Sequence, residues 1–121
     1  MSSFKVKSMK NYYIDKCLEF ENTYLDYPFS VSDWAAIRHC DNQKIFALIY
    51  SHYGKVCINF KNKPEWATFW RESFDAVQPA YHMNKEHWSM VTIGEDASEE
   101  QILQMLYDSY NLTKTKTRRK K

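Results

Sequence analysis

Six consecutive apolar residues, Ile45-Phe46-Ala47-Leu48-Ile49-Tyr50, lie between the turn-prone pair Asp41-Asn42 and the His52-Tyr53-Gly54 triplet. Successive side chains of a strand point to opposite faces, so this run is apolar on both. A strand of that kind needs neighbours on either side, and Lys44 to Tyr50 is predicted to be the central strand of a sheet. The run is also far shorter than the roughly 20 residues that cross a bilayer, and no transmembrane helix is expected.

The flanking sequence supplies those neighbours. Trp34 to Cys40 reads as the preceding strand. After Gly54, Val56, Ile58 and Phe60 alternate with Lys55, Cys57, Asn59 and Lys61, which predicts a third strand with one buried and one polar face. The three form an antiparallel meander whose inner face needs helices to cover it.

Three segments have helical periodicity. Met9, Tyr13, Cys17 and Phe20, widened by Ile14 and Leu18, mark an amphipathic helix from about Ser8 to Asn22. Pro64 suits a first helical position and is followed by Trp66, Phe69, Trp70, Ser73 and Phe74. Ser98 with Gln101 forms a capping-box pattern ahead of Ile102, Leu103, Leu106 and Tyr110, a helix ending near Leu112. Thr23 to Ser32 breaks the first period and reads as a packed linker, with Pro28 holding Tyr27 extended. Val77 to His82 reads as extended, and Ser89 to Ile93 as a strand ending at Gly94. The expected fold class is α+β, an antiparallel sheet of about five strands packed against helices.

At 121 residues, 44% of them hydrophobic, the chain suits one core, and Gly 2 and Pro 3 argue for regular elements with short connections. Residues 1–112 are expected to form a single domain and 113–121 a basic disordered tail. Lys114, Lys116, Arg118, Arg119, Lys120 and Lys121 make up six of the 17 basic residues. The remaining eleven face 15 acidic ones, a balance of −4, so the body lacks the strong positive charge of a dedicated duplex binder and the tail supplies the attraction for polyanions. Met1 to Lys10 has lysines but no apolar h-region, so no secretory leader is expected. Cys17, Cys40 and Cys57 are odd in number with no CxxC pair, which favours a reducing cytoplasm over a disulfide framework.

One run stands out: Gln78-Pro79-Ala80-Tyr81-His82-Met83-Asn84-Lys85-Glu86-His87-Trp88. With Tyr27-Pro28-Phe29, Lys44-Ile45-Phe46-Ala47-Leu48 and Asp108-Ser109-Tyr110, it resembles the MmcQ/YjbR family over about Met9 to Leu112. The resemblance implies a CyaY-like, frataxin-related two-layer sandwich, often described as a double-wing DNA-binding domain. The family usually has Gly where this chain has Ala80, and the basic tail lies outside its pattern.

Several residues are candidates for function. In the motif, Lys85 would meet a phosphate and Trp88 or Tyr81 would stack a base. The structural alternative has Asn84 capping a turn, Trp88 plugging the core and His87 bonding a backbone carbonyl. Arg38, Lys55 and Lys61, with Asn59, would lie on the polar sheet face and track a nucleic-acid backbone, or form an ordinary solvated face. Arg118 and Arg119 in the tail add non-specific affinity. His82 and His87, with His39 and His52, match no standard metal-ligand spacing, and neither metal nor cofactor is expected. His39 and Cys40 are neighbours in a strand and point apart, so they form no catalytic dyad, and no glycine-rich phosphate loop exists. The expectation is a non-catalytic binding protein for DNA at low specificity; the competing reading is a protein-interaction or small-ligand module.

Overall fold

A computed structural model describes residues 3–29, 33–80 and 83–115. The elements are α1 (Ser3–Leu18), β1 (Thr23–Asp26), β2 (Ala35–His39), β3 (Ile45–His52), β4 (Lys55–Lys61), α2 (Pro64–Ser73), β5 (Val77–Pro79), β6 (Trp88–Thr92) and α3 (Glu99–Thr113). All six strands join one antiparallel sheet in the order β1-β2-β3-β4-β6-β5, with β3 and β4 at its centre. The α+β class is as expected, but the sheet has one strand more. The addition is β1, inside the segment read as a linker: its four residues pair with β2 from Thr23↔His39 to Asp26↔Ala36. A half-buried edge strand has no need of the strict alternation that reveals longer strands, which is why the pattern missed it.

The register explains the core. Ile37 lies opposite Ala47, Ala47 opposite Phe60, Ile49 opposite Ile58 and Ile58 opposite Val91, so these side chains share one sheet face. All three helices pack there: Tyr13, Ile14 and Cys17 of α1, Trp70 of α2 and Ile102, Met105 and Leu106 of α3 join the same buried cluster. The result is a two-layer sandwich.

α1 starts five residues before its predicted onset and ends four residues earlier. Its end is closed by Glu19 and Phe20 backbone N–H groups reaching the Lys16 and Cys17 carbonyls, and Asn22 then turns the chain at φ 59. The capping box of α3 is present in full: Ser98 accepts from the Gln101 N–H, and the Gln101 side chain accepts from the Ser98 N–H. α3 runs to Thr113, whose hydroxyl donates to the Ser109 carbonyl at 2.8 Å and lies 2.7 Å from His39 Nε2. Thr113 therefore belongs to the fold and not to the tail.

The face of β4 expected to be polar is largely buried. Cys57 and Asn59 are as inaccessible as Val56 and Ile58, and Asn59 Oδ1 accepts from Tyr50 Oη at 2.7 Å. Trp34 lies flat on Tyr50 with ring centroids 3.9 Å apart. Asn59 is thus a structural group beneath a covered patch and not part of a solvated strip.

Candidate functional site

Within the conspicuous motif, residues 83–88 fold into a short turn that leads into β6. Asn84 Oδ1 accepts from the backbone N–H groups of Glu86 at 2.9 Å and His87 at 3.3 Å, and its carbonyl accepts from Trp88 at 2.9 Å. The short amide side chain of asparagine is suited to this role. Ala80 is fully buried and donates its N–H to the Trp88 carbonyl at 3.2 Å. Pro79 is exposed on β5, while Met83, His87 and Trp88 are partly exposed. Trp88 lies opposite Lys61 on the sheet face away from the helices, so it does not plug the helix-side core. The His87 ring comes within 3.9 Å of Glu86 Oε1, and it is the His87 carbonyl that is used, accepting from Asn62 N–H at 2.8 Å. Tyr81, His82, Arg118 and Arg119 lie outside the described residues.

Arg71 anchors this turn to α2. Its Nη2 donates to the Lys85 carbonyl at 2.6 Å, the Trp88 carbonyl at 3.0 Å and Ser89 Oγ at 3.0 Å, and its Nε reaches Ser89 Oγ at 3.1 Å. Burial lowers the Arg71 pKa from its ordinary value, but guanidinium remains charged at any physiological pH. Sequence reasoning missed Arg71, because a basic residue in the last turn of a helix looks like a surface charge. The relevant signal was its place beside Trp70 on a helix packed against the motif.

The predicted cations of the sheet and the motif separate into two groups, and Lys63, which sequence reasoning did not single out, joins the second. Arg38 is held by Asp26 at 2.8 Å and donates to the Gln43 carbonyl at 2.8 Å, and Lys55 pairs with Glu95 at 2.7 Å. Among the described residues, by contrast, Lys61, Lys63 and Lys85 have no carboxylate within ion-pair distance. Lys61 and Lys63 flank Asn62, which is bonded to the motif through His87, and Lys85 sits on the turn that Arg71 ties to α2. Lys61 and Lys63 thus precede the start of α2, whereas Lys85 sits on the turn held by its last turn, and Lys7, Lys44 and Lys114 likewise have no carboxylate within ion-pair distance among the described residues.

Beside Lys61 and Lys63 is a cleft between α2 and α3 of about 360 Å³, whose lining includes Lys61, Asn62, Lys63, Trp66, Trp70 and Asp108. Its volume lies within the range of small-ligand pockets. Trp66 is 48% exposed and Phe69 is 49% exposed, an aromatic pair with ring centroids 5.2 Å apart on the outer side of α2.

The groups that would serve catalysis are differently placed. Cys57 is buried, and its thiol pKa is raised, chiefly by burial. Cys40 is exposed whereas neighbouring His39 is buried. Among the described residues no three His, Cys, Asp or Glu side chains converge to hold a metal, and no helix is long and apolar enough to cross a membrane.

The comparisons with known proteins agree with this architecture. The chain is 38% identical over 69 residues to YbdF of Escherichia coli O157:H7, a match covering 57% of each protein. It is 31% identical over 100 residues to YyaQ of Bacillus subtilis, covering 74% of this chain and 84% of that one. A solved Pseudomonas syringae protein superposes with a TM-score of 0.77 at 30% identity, over 86% of this chain and 97% of that one. A Deinococcus radiodurans protein superposes with a TM-score of 0.75 over 84% and 75%, but at 23% identity it supports the fold alone. The YjbR family model matches residues 18–112, from the end of α1 to the last turn of α3, and the chain belongs to the YjbR family.

Proposed function

We propose that this protein is a non-catalytic binding module for nucleic acid, engaged at the start of α2 and the motif turn and not across the sheet. The observation carrying this reading is the charge partition. Arg38 and Lys55 are neutralised by Asp26 and Glu95, while Lys61, Lys63 and Lys85 are without a carboxylate among the described residues, and Lys61 and Lys63 border one cleft with the half-exposed Trp66. Free cations positioned next to an accessible aromatic ring are the combination by which proteins hold a nucleic-acid strand, phosphates on the cations and bases on the ring. The basic segment from Lys114 onward adds sequence-independent attraction, since each neutralised phosphate releases a counterion.

Fluorescence anisotropy on single-stranded and duplex DNA at low salt tests the reading, with the full chain compared with one ending at Thr115. Binding that weakens steeply with salt, and that persists at reduced affinity without the tail, is the expected result. Salt-insensitive or absent binding by both would refute it. Loss of all binding on tail removal, together with a stoichiometric protein partner on pull-down, would favour the protein-interaction reading instead.

A further inference from the structure

The floor of the α2–α3 cleft contains an unfinished hydrogen-bond network. Asn62 is 4% exposed, and its Oδ1 accepts from Ser89 Oγ at 2.7 Å. That hydroxyl already accepts from Arg71 Nε and Nη2, so its single proton goes to Asn62 and fixes which end of the amide is oxygen. The other end, Nδ2, is a buried donor with no acceptor. Unpaired buried donors are rare in native structures, because desolvation without a partner costs stability. Since Ser89 lies on the helix side of the sheet, the Asn62 side chain sits in the layer that the cleft opens into.

A second vacancy adjoins the first. α2 starts at Pro64 with Lys63 as its N-cap residue, and no side chain caps it. Pro64 has no N–H, so the donors of this first turn without an intrahelical acceptor are those of Glu65 and Trp66, and the helix dipole favours an anion there, a preference that the Glu65 carboxylate already meets in part. Lys63 lines the same cleft, as does Trp66 in the first turn of the helix, and Lys61 borders it from the end of β4 with its side chain on the sheet face away from the helices. On the opposite wall Asp108, whose Oδ1 accepts from Gln104 Nε2 at 2.9 Å, offers acceptor oxygens. The cleft thus combines a place for an anion, a flat apolar wall, one unused donor and a carboxylate acceptor.

We infer that this cleft receives one nucleotide unit of an unpaired strand, with phosphate at the uncapped start of α2 and the base against Trp66. The inference rests on the nucleic-acid reading above and adds to it a preference for single strands, because a paired base is not available to enter the cleft. Asn62 Nδ2 donates to an oxygen of the unit, and Asp108 accepts from an N–H on the base edge.

The test uses the full chain and a fluorescein-labelled oligothymidylate at low salt, with a duplex of the same length, thymidine monophosphate and thymidine as comparators. The oligothymidylate should bind more tightly than the duplex, and Trp66→Ala should weaken it about tenfold or more. Lys63→Glu, also at an exposed position, should weaken it similarly, with circular dichroism and melting temperature showing that both variants remain folded. Thymidine monophosphate should compete and thymidine should not; equal competition by both would contradict the placement of phosphate. If both variants bind as the wild type does while wild-type binding remains salt-dependent, the cleft assignment fails and the broader reading stands. If the wild type binds no oligonucleotide, both fail.

Discussion

Arg71 donates to the main-chain carbonyl of Lys85 at 2.6 Å, so the guanidinium of α2 directly holds the turn that presents Lys85 to solvent. The same side chain bonds Trp88 and Ser89, so one residue links the second helix, the motif turn and β6. This link docks the turn from Asn84 to Trp88 onto the fold.

Replacing Arg71 with Met retains much of the aliphatic stem but leaves the Lys85 and Trp88 carbonyls without this donor. The variant should lose about 1–3 kcal/mol of stability, and Arg71→Lys should recover only part of it, because an ammonium cannot reproduce the forked geometry. Chemical denaturation with intrinsic tryptophan fluorescence measures the loss. Hydrogen exchange should rise first in the turn from Asn84 to Trp88.

His39 gives the fold a pH dependence. It is 3% exposed, and the Thr113 hydroxyl proton goes to the Ser109 carbonyl, so Nε2 of the neutral ring is the donor to Thr113. Burial is the main cause lowering its pKa from the ordinary 6.5. A lowered folded-state value means that the unfolded chain takes up the proton more readily. The stabilisation is therefore fully present above 6.5 and is lost as pH falls from there through the folded-state value. Melting temperature should decline over that acid range, and His39→Gln should flatten that part of the profile.

Thiol accessibility provides a check on the packing. Cys17 is buried beneath the sheet with its pKa pushed up to about 12, Cys57 is buried with its pKa raised, and Cys40 is exposed. Alkylation of the native protein followed by mass spectrometry should modify Cys40 first, with Cys17 and Cys57 reacting only after denaturant is added. Early modification of Cys57 would contradict the covered sheet face.

Ser109 tests the contact between α3 and the central strands. Its hydroxyl donates to the Phe46 carbonyl at 2.6 Å and accepts from the Lys61 N–H at 2.8 Å. Phe46 lies where β3 shifts register against β2, and Ser109 satisfies backbone groups in that region. Ser109→Ala should cost about 1–3 kcal/mol by thermal or urea denaturation, well above the effect of a surface serine.

The sequence disclosed the central strand, because six apolar residues in succession leave few alternatives, and it disclosed the α3 capping box through the Ser98–Gln101 spacing. It also pointed to the motif and its turn. It misjudged Asn59, whose polar side chain in an alternating strand implied solvent, although the Tyr50 hydroxyl and the stacked Trp34 come from residues distant in sequence. For the same reason Arg38 and Lys55 appeared available: their partners Asp26 and Glu95 are set by tertiary pairing and cannot be read from local pattern. Arg71 and the unpaired Asn62 amide emerged only from the bonded network.

In the proposed interface Lys61, Lys63 and Lys85 meet phosphate while Arg38 and Lys55 remain engaged with carboxylates. The most direct measurement is the slope of log affinity against log salt for the full chain on single-stranded DNA. The combined change Lys61→Ala, Lys63→Ala and Lys85→Ala should make that slope shallower by about 2, as expected for three lost phosphate contacts, while Arg38→Ala with Lys55→Ala should leave it unchanged. An unchanged slope in the first variant and a shallower one in the second would contradict the account and return the interface to the sheet.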